Sequence, residues 1–417
     1  MAVSRALIDV TPLSGPAFRR LWIGRSVSGV GSQMAVVAVM FQVWQRTHST
    51  VWTGAVGLAQ AVPVIALGLF AGAHVDRVDR RRLYLMTTTG QAACSLLLAV
   101  QGVFGHVPVI GVLALIATQG GFGATGGPAA RTFIPRLLPP GQVAAGLALD
   151  RLAFQASLLV GPALGGLTIA AVGVSGCYLI DAVTFGVGCY GAFGLPPMSP
   201  QDGTARPGAR AVLDGLSFLM RSAPVRAALL TDLATTVLSF PISVFPLINA
   251  ERFGNNPRTL GLFLTALAVG GTIASVFAGT FTRIRRPGTA MLLGCATWGV
   301  AAALLGAVPN AWIGLALLAV AGAADTVAVV SRSTITQLST PDALRGRVAA
   351  AEQAVGLAGP DIGNLRTGLI AHATSGVAAL VSGGLLCAAA VSVIAASTPA
   401  LRRFTPATPP AELEPAI

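Results

Sequence analysis

The sequence predicts an all-α integral membrane protein, with twelve transmembrane helices arranged as two pseudo-symmetric six-helix bundles. Composition is the first reason: 54% of the 417 residues are hydrophobic and only 10% are charged. A soluble domain has about 25% charged residues, so this chain lacks the polar side chains that would cover a water-facing surface. The second reason is a succession of long apolar segments, and the third is a weak repeat of sequence motifs between the two halves.

The apolar segments give the expected spans. A helix that crosses a bilayer needs about 20 mainly apolar residues, and polar breaks divide the chain into twelve such segments. They are expected at 21–45, 51–73, 83–104, 107–128, 147–172, 177–195, 225–247, 260–282, 289–308, 311–331, 348–372 and 377–397. The expected units are an N-terminal bundle, a linker that ends in an amphipathic helix on the membrane surface, a C-terminal bundle and a tail, at 1–195, 196–224, 225–400 and 401–417.

The arginines orient these spans. All 27 basic residues are arginine, and 21 of them fall on one side of the predicted membrane, against Arg46, Arg252 and Arg258 on the other. Cytoplasmic loops carry an excess of Lys and Arg, so both termini are expected in the cytoplasm of a bacterial cell. The net charge of +12 lies in short loops rather than on one amphipathic face, which argues against a nucleic-acid partner.

Signs of catalysis are missing from the sequence. A Walker A motif needs a lysine, which the chain lacks, and neither HExxH nor GxSxG occurs. The five cysteines are scattered without metal-ligand spacing. We therefore expect no enzyme activity, no cofactor and no metal. The expected partners are the lipid bilayer, a small-molecule substrate and protons, and the expected state is a monomer.

Two pairs of motifs relate the halves. The charged loop GAHVDRVDRRR, Gly72–Arg82, has a weaker echo in GTFTRIRRPG, Gly279–Gly288. GPALGG at Gly161–Gly166 similarly corresponds to GPDIGN at Gly359–Asn364. Two similar halves of six spans are typical of transporters whose substrate site lies near the midplane between the halves.

With these motifs the chain resembles the major facilitator superfamily over its whole length. The first loop resembles the family signature G-x-x-x-D-R-x-G-R-R, although Asp79 replaces the usual glycine. The matching positions are Gly72, Asp76, Arg77, Arg80 and Arg81. GPALGG is similar to the core of the family's antiporter motif, through Gly161, Pro162, Gly165 and Gly166.

The resemblance to the enterobactin exporter group is carried by four segments: Pro16–Gln33, Thr47–Thr50, Leu344–Gln353 and Leu401–Pro410. It implies a secondary-active exporter of siderophore-like, amphipathic small molecules, driven by proton antiport across the plasma membrane. A multidrug or macrolide efflux pump is the alternative. A non-transporting membrane sensor and an importing symporter fit less well.

Charged residues inside spans are costly and mark candidate functional positions. A carboxylate that is exposed to each side in turn can carry a proton, and the candidates are Asp361, Asp232 and Asp325. A fixed ion pair of Asp361 with Arg25 or Arg366 is the competing interpretation. The helix 5 motif has two open interpretations as well, close helix packing or an antiporter role.

Few polar residues can line a substrate cavity within these spans. The candidates share a neutral amide side chain at a position inside an apolar segment, and they are Gln33, Gln42, Gln60, Gln119 and Gln155.

The family resemblance gives Asp76 the role of a conformational latch that engages helix 11 on the cytoplasmic side and favours the outward-facing state. A carboxylate near a helix N-terminus is stabilised by about 0.3–1 kcal/mol. We predict that Asp76→Asn inserts into the membrane normally but loses most transport, because the latch loses its charge. Uptake into inverted vesicles, normalised to the amount of inserted protein, measures this. Wild-type transport by the variant would contradict a latch at Asp76.

Overall fold

The structure, a computed structural model, describes residues 9–70, 78–105, 107–198, 209–277, 285–341 and 344–405. These residues form helices and connecting turns, and no strand occurs among them. The helices that build the fold are α1 (Pro16–Thr47), α2 (Thr50–Phe70), α3 (Arg80–Phe104), α4 (Val109–Arg131), α5 (Val143–Phe193), α6 (Ala209–Arg221), α7 (Ala223–Ser239), α8 (Pro257–Val276), α9 (Pro287–Ala307), α10 (Ala311–Ser339), α11 (Arg345–Ala373) and α12 (Gly376–Ser397).

Local sequence explains where several helices begin. The side chain of Asp79 accepts a hydrogen bond from the backbone N–H of Arg82 and so caps α3. Asn256, Asn310 and Ser375 cap α8, α10 and α12 in the same way. Each cap pairs a backbone donor that the first turn of a helix leaves free, which matters most where no water is available.

Helix α5 is the largest departure from the predicted spans. It runs through 51 residues, which at 1.5 Å per residue is about 77 Å, more than twice the hydrocarbon thickness of about 30 Å. Gly173 interrupts it with φ 76° and ψ 179°, a conformation that is essentially restricted to glycine. The predicted spans 147–172 and 177–195 are thus the two arms of α5, joined by one residue.

Ten helical segments in the described part of the chain are long and apolar enough to cross a membrane. One of them is the 54-residue segment Pro140–Phe193, which contains both arms of α5. Another, Ala223–Phe253, joins α7 to the short helix Phe245–Phe253 through a turn. Helix α11 is not among the ten. The all-α membrane fold is confirmed, whereas the count of twelve spans stays a prediction.

The helices pack in two groups. In the first group α5 packs along α1 and α3, and α4 packs on α2 and α3. In the second, α9 packs on α10 and α12, α8 on α10, and α7 on α12. We call these groups the N-terminal and C-terminal halves; the predicted domain boundaries themselves stay predictions.

Helix α6, the predicted linker helix, packs on α7 and α11 of the C-terminal half. Its apolar side carries Leu219, which is fully buried in a cluster with Val225, Leu229 and Val348. On its polar side Asp214 forms an exposed ion pair of 3.2 Å with Arg347 of α11. The helix therefore covers the beginning of α7 and α11 with its apolar residues.

Candidate functional site

In the described part of the chain the two halves touch mainly through two helix pairs, α2 with α11 and α5 with α8. In the α2–α11 seam the Thr50 hydroxyl donates a 2.6 Å hydrogen bond to the carbonyl of Gly368. The Thr53 hydroxyl donates a 2.7 Å bond to the carbonyl of Ser243, which follows α7. Both threonines lie in the first turn of α2, so these bonds join the halves near the end of the molecule that carries the α1–α2 turn.

The α5–α8 seam is held by backbone contact. Glycine has no Cβ atom, so the space beside it can be judged by where an added Cβ would lie. A Cβ added to Gly166 would lie 2.5 Å from the carbonyl oxygen of Pro257, and one added to Gly261 would overlap the carbonyl oxygen of Pro162. Real Cβ atoms do not approach other atoms so closely, so this contact requires glycine on both helices. Small residues allow helix backbones to meet in this way inside membranes.

The remaining glycines of GPALGG pack inside the N-terminal half. A Cβ on Gly165 would lie 2.9 Å from the carbonyl oxygen of Met34 in α1, and one on Gly161 would overlap the Gln33 side chain. The motif thus has one side against α1 and another against α8 of the opposite half. This geometry accounts for close packing; an antiporter role stays a prediction.

The second copy of the motif, in α11, occupies the equivalent place. Gly363 packs on the backbone of Thr236 in α7, as Gly165 packs on α1. Asn364, the counterpart of Gly166, faces the opposite half, where its carbonyl oxygen lies 2.8 Å from a Cβ built on Gly54 of α2. The repeat found in the sequence therefore marks the two seams.

Asp361 lies within the α2–α11 seam. A Cβ added to Gly57 of α2 would lie 2.5 Å from Asp361 Oδ1, so the carboxylate lies directly against α2. Ala163 is its counterpart in the first copy, which makes one seam apolar and the other ionisable. Within the described part of the chain the carboxylate has no hydrogen-bond or ion-pair partner.

The two arginines considered as partners of Asp361 lie elsewhere. Arg25 forms a 2.8 Å ion pair with Asp150, joining α1 to α5. Arg366 donates a 2.7 Å hydrogen bond from Nη1 to the carbonyl of Leu238 at the end of α7. Each therefore ties helices together within its own half, and neither neutralises Asp361 in this structure.

Asp232 and Asp325 lie together in the C-terminal half. Asp232 of α7 is ion-paired with Arg332 of α10. Asp325 lies close enough to interact electrostatically with both residues. Glu352 of α11 accepts a 2.7 Å hydrogen bond from the Thr336 hydroxyl. Asp232 thus has a fixed cationic partner, in contrast to Asp361.

Asp181, which was not among the sequence candidates, is a fully buried acid in the described part of the chain. Its side chain is 0% exposed, and Oδ2 accepts hydrogen bonds from Ser95 at 2.6 Å and Gln119 at 3.4 Å. In the sequence it lies in the predicted span 177–195, near the end opposite the cytoplasm, which gives no indication of this burial. One feature of the sequence could have indicated this burial: Asp181 is a lone acid on the same helical face as Tyr178, one turn away.

Two of the five glutamine candidates are used inside the N-terminal half. Gln42 is 4% exposed and bonds to Gln101 at 3.2 Å and to the Tyr178 hydroxyl at 2.8 Å, whereas Gln119 bonds to Ser95 at 2.8 Å. Gln42 is therefore out of reach of a substrate in this conformation. Gln33, Gln60 and Gln155 are partly exposed and stay cavity candidates.

Only part of the signature loop can be placed. Gly72, Asp76 and Arg77 lie outside the described residues. Arg80 begins α3 and its N–H bonds to the carbonyl of Met198 at 3.1 Å, while the Arg81 guanidinium donates to the carbonyl of Phe193. The latch therefore stays a prediction, as does the echo loop, whose residues 279–284 also lie outside.

Asp79, which departs from the family signature, has a clear role. Besides capping α3, its carboxylate accepts a hydrogen bond from the backbone N–H of Met198, beyond the end of α5. It therefore anchors the start of α3 to the segment that leaves the N-terminal half. A glycine at this position could make neither bond.

This architecture of two helical halves joined by paired seams defines a membrane transporter of the major facilitator type. The family described as transmembrane secretion effector matches residues 8–411, and the chain belongs to this family. Its members are transporters, not enzymes, so the chain is a multi-pass transporter.

Named relatives share most of its length. The multidrug efflux pump Tap of Mycolicibacterium fortuitum is 27% identical over 92% of this chain and 96% of its own. The enterobactin exporter EntS of Shigella boydii is 27% identical over 95% of this chain and 94% of its own. These bacterial relatives imply the inner membrane.

Among solved structures, the nucleoside transporter NupG (D323A mutant) superposes with a TM-score of 0.75 at 12% identity, over 92% of this chain and 99% of its own. This likeness concerns the fold alone.

The backbone contact at Gly166 leads to a prediction. Gly166→Ala should lower the melting temperature in detergent by several degrees, because the added methyl group forces α5 and α8 apart. Gly186→Ala is the matched control on the same helix, since a Cβ there meets nothing within 4 Å, and it should be neutral or gain slightly from the helix propensity of alanine. Equal melting temperatures for the two variants would contradict the role of the seam.

Proposed function

We propose that this protein is a secondary-active exporter that moves an amphipathic small molecule out of the cell in exchange for protons. The observation that carries the proposal is the position of Asp361, an acid at a seam between the two halves that has no partner among the residues the structure describes. Relatives named as exporter and efflux pump support the outward direction. Alternating access follows from two halves that rock against each other.

The distribution of arginines supports an orientation with both termini in the cytoplasm. In that orientation the bonds of Thr50 and Thr53 lie near the periplasmic face. Contact between the halves on this side supports an inward-facing state for this structure. The latch at Asp76, which belongs to the opposite face, would then act in the outward-facing state.

Asp361 can couple proton binding to the opening and closing of the α2–α11 seam. In the closed seam its carboxylate lies against α2 with no cationic side chain beside it among the described residues, and burying an unpaired charge is costly. Binding a proton from the periplasm removes that cost and favours closure of the seam. Release of the proton to the cytoplasm restores the charge, which favours reopening of the seam with the substrate bound. Proton entry and substrate exit therefore alternate.

For the substrate we propose a siderophore-like metabolite, with a drug-like compound as the second candidate. EntS supports the first and Tap the second, at equal identity. Gln33, Gln60 and Gln155 offer neutral hydrogen-bond groups to either substrate. A monomer is sufficient for this mechanism, because both seams form within one chain.

Metabolite profiling tests the substrate. We expect a deletion strain grown under iron limitation to retain a siderophore in its cytosol, because the export route is missing. Complementation with the wild-type gene should restore the compound to the medium. Unchanged metabolites together with raised drug sensitivity would instead favour efflux of drugs.

Neutralising the seam acid tests the coupling. We predict that Asp361→Asn, reconstituted in liposomes, loses export driven by a pH gradient but keeps substrate exchange, because the seam closes without a proton. Glu251→Gln is the matched control, since Glu251 is exposed on the short helix Phe245–Phe253, and it should behave as wild type. An unchanged pH dependence in Asp361→Asn would eliminate this residue as the proton carrier.

A further inference from the structure

A second acid that has no counter-ion among the described residues lies inside the N-terminal half, away from both seams. The carboxylate of Asp181, on the second arm of α5, is completely buried. Its Oδ2 receives hydrogen bonds from Ser95 of α3 and Gln119 of α4. Its Oδ1 is also buried and has no hydrogen-bond partner in the part of the chain that the structure describes. Oδ1 of the carboxylate is therefore free to bind a cation or a proton.

The free oxygen faces a space left by a glycine. A Cβ on Gly31 of α1 would lie 3.0 Å from Asp181 Oδ1 and would overlap the hydroxyl of Thr184. Asp181 Oδ1 and the Thr184 hydroxyl oxygen therefore lie beside the space that the side chain of any residue larger than Gly31 would occupy. Thr184 lies one turn after Asp181 and donates a 2.7 Å hydrogen bond to its carbonyl, which keeps the hydroxyl in place.

No positive side chain neutralises this carboxylate in the described part of the chain. On α5 its titratable neighbours are Cys177 and Tyr178, which are neutral at physiological pH. The facing helices α1, α3 and α4 present Gly31, Ser95 and Gln119, none of which titrates. An isolated charge in such surroundings is costly enough that a bound positive ion is expected.

We propose that Asp181, Ser95, Gln119 and Thr184 form a binding site for one small monovalent cation, either Na⁺ or a proton. Hard cations prefer oxygen ligands, and these residues supply carboxylate and hydroxyl oxygens from two helices. Rotation of the Gln119 amide by half a turn, which exchanges its oxygen and nitrogen, adds another oxygen from a third helix. A proton satisfies the same site by converting the free Oδ1 into a hydroxyl.

Melting temperature tests the site without a transport assay. The full-length protein in detergent is titrated with NaCl against choline chloride at constant ionic strength, and separately with pH in sodium-free buffer. A ligand that binds only the folded state raises stability with its concentration. Bound Na⁺ predicts a melting temperature that rises by several degrees with NaCl. A bound proton predicts no response to NaCl and a melting temperature that falls as the pH rises.

Two variants assign the response to this site. Asp181→Asn keeps the shape of the side chain and should abolish the response to NaCl if the ion is Na⁺. If the ion is a proton, it should weaken the dependence of the melting temperature on pH, and the part that remains comes from other acids such as Asp361. Ser95→Ala removes one ligand without changing charge, and it should shift the midpoint of the responding titration several-fold. Asp150→Asn, on the first arm of α5, is the control that should keep the wild-type response to NaCl.

Identical NaCl and pH profiles for wild type, Asp181→Asn and Ser95→Ala would overturn the proposal. If Asp181→Asn does not fold, Ser95→Ala alone decides, because an unshifted midpoint excludes the site. The readout is independent of the proposed export function. Failure of the Asp361 prediction would leave the Asp181 titrations unaffected, and the reverse also holds.

Discussion

Direct backbone contact between the two halves is the constraint on which the rest of the structure depends. At Gly166 and Gly261 the α5 and α8 backbones meet with no side chain between them. Dispersion attraction acts over short distances, so such a contact is either fully formed or lost. Interfaces of this kind have discrete arrangements rather than a continuous range. The seams thus favour two states of the molecule over intermediate ones.

The two seams differ in chemistry although they derive from one repeat. The closest contacts of the α5–α8 seam are between glycines and main-chain atoms, whereas the α2–α11 seam contains Asp361, Asn364 and the hydroxyls of Thr50 and Thr53. Only the second can respond to a proton. The two copies of the motif occupy corresponding places in the seams, and the aspartate at the position where the first copy has Ala163 makes one seam ionisable.

Sequence reasoning found the elements that depend on local signals. The predicted spans 289–308 and 377–397 match α9 and α12 to within two residues, because proline or a capping serine marks their starts. Sequence reasoning did not show which face of a helix a polar residue occupies. Gln42 and Asp181 lie in segments that are apolar on every side, so periodicity could not show that they point into the N-terminal half. A carboxylate placed by depth alone can be misjudged in this way.

Gly173 has a mechanical consequence. A connection of one residue between the arms of α5 leaves no slack, so the two arms form a stiff hairpin. The first arm carries the contact with α8 and the second carries Asp181. We therefore expect a displacement of α8 against the first arm to act on the second arm as well, because a single residue connects the two.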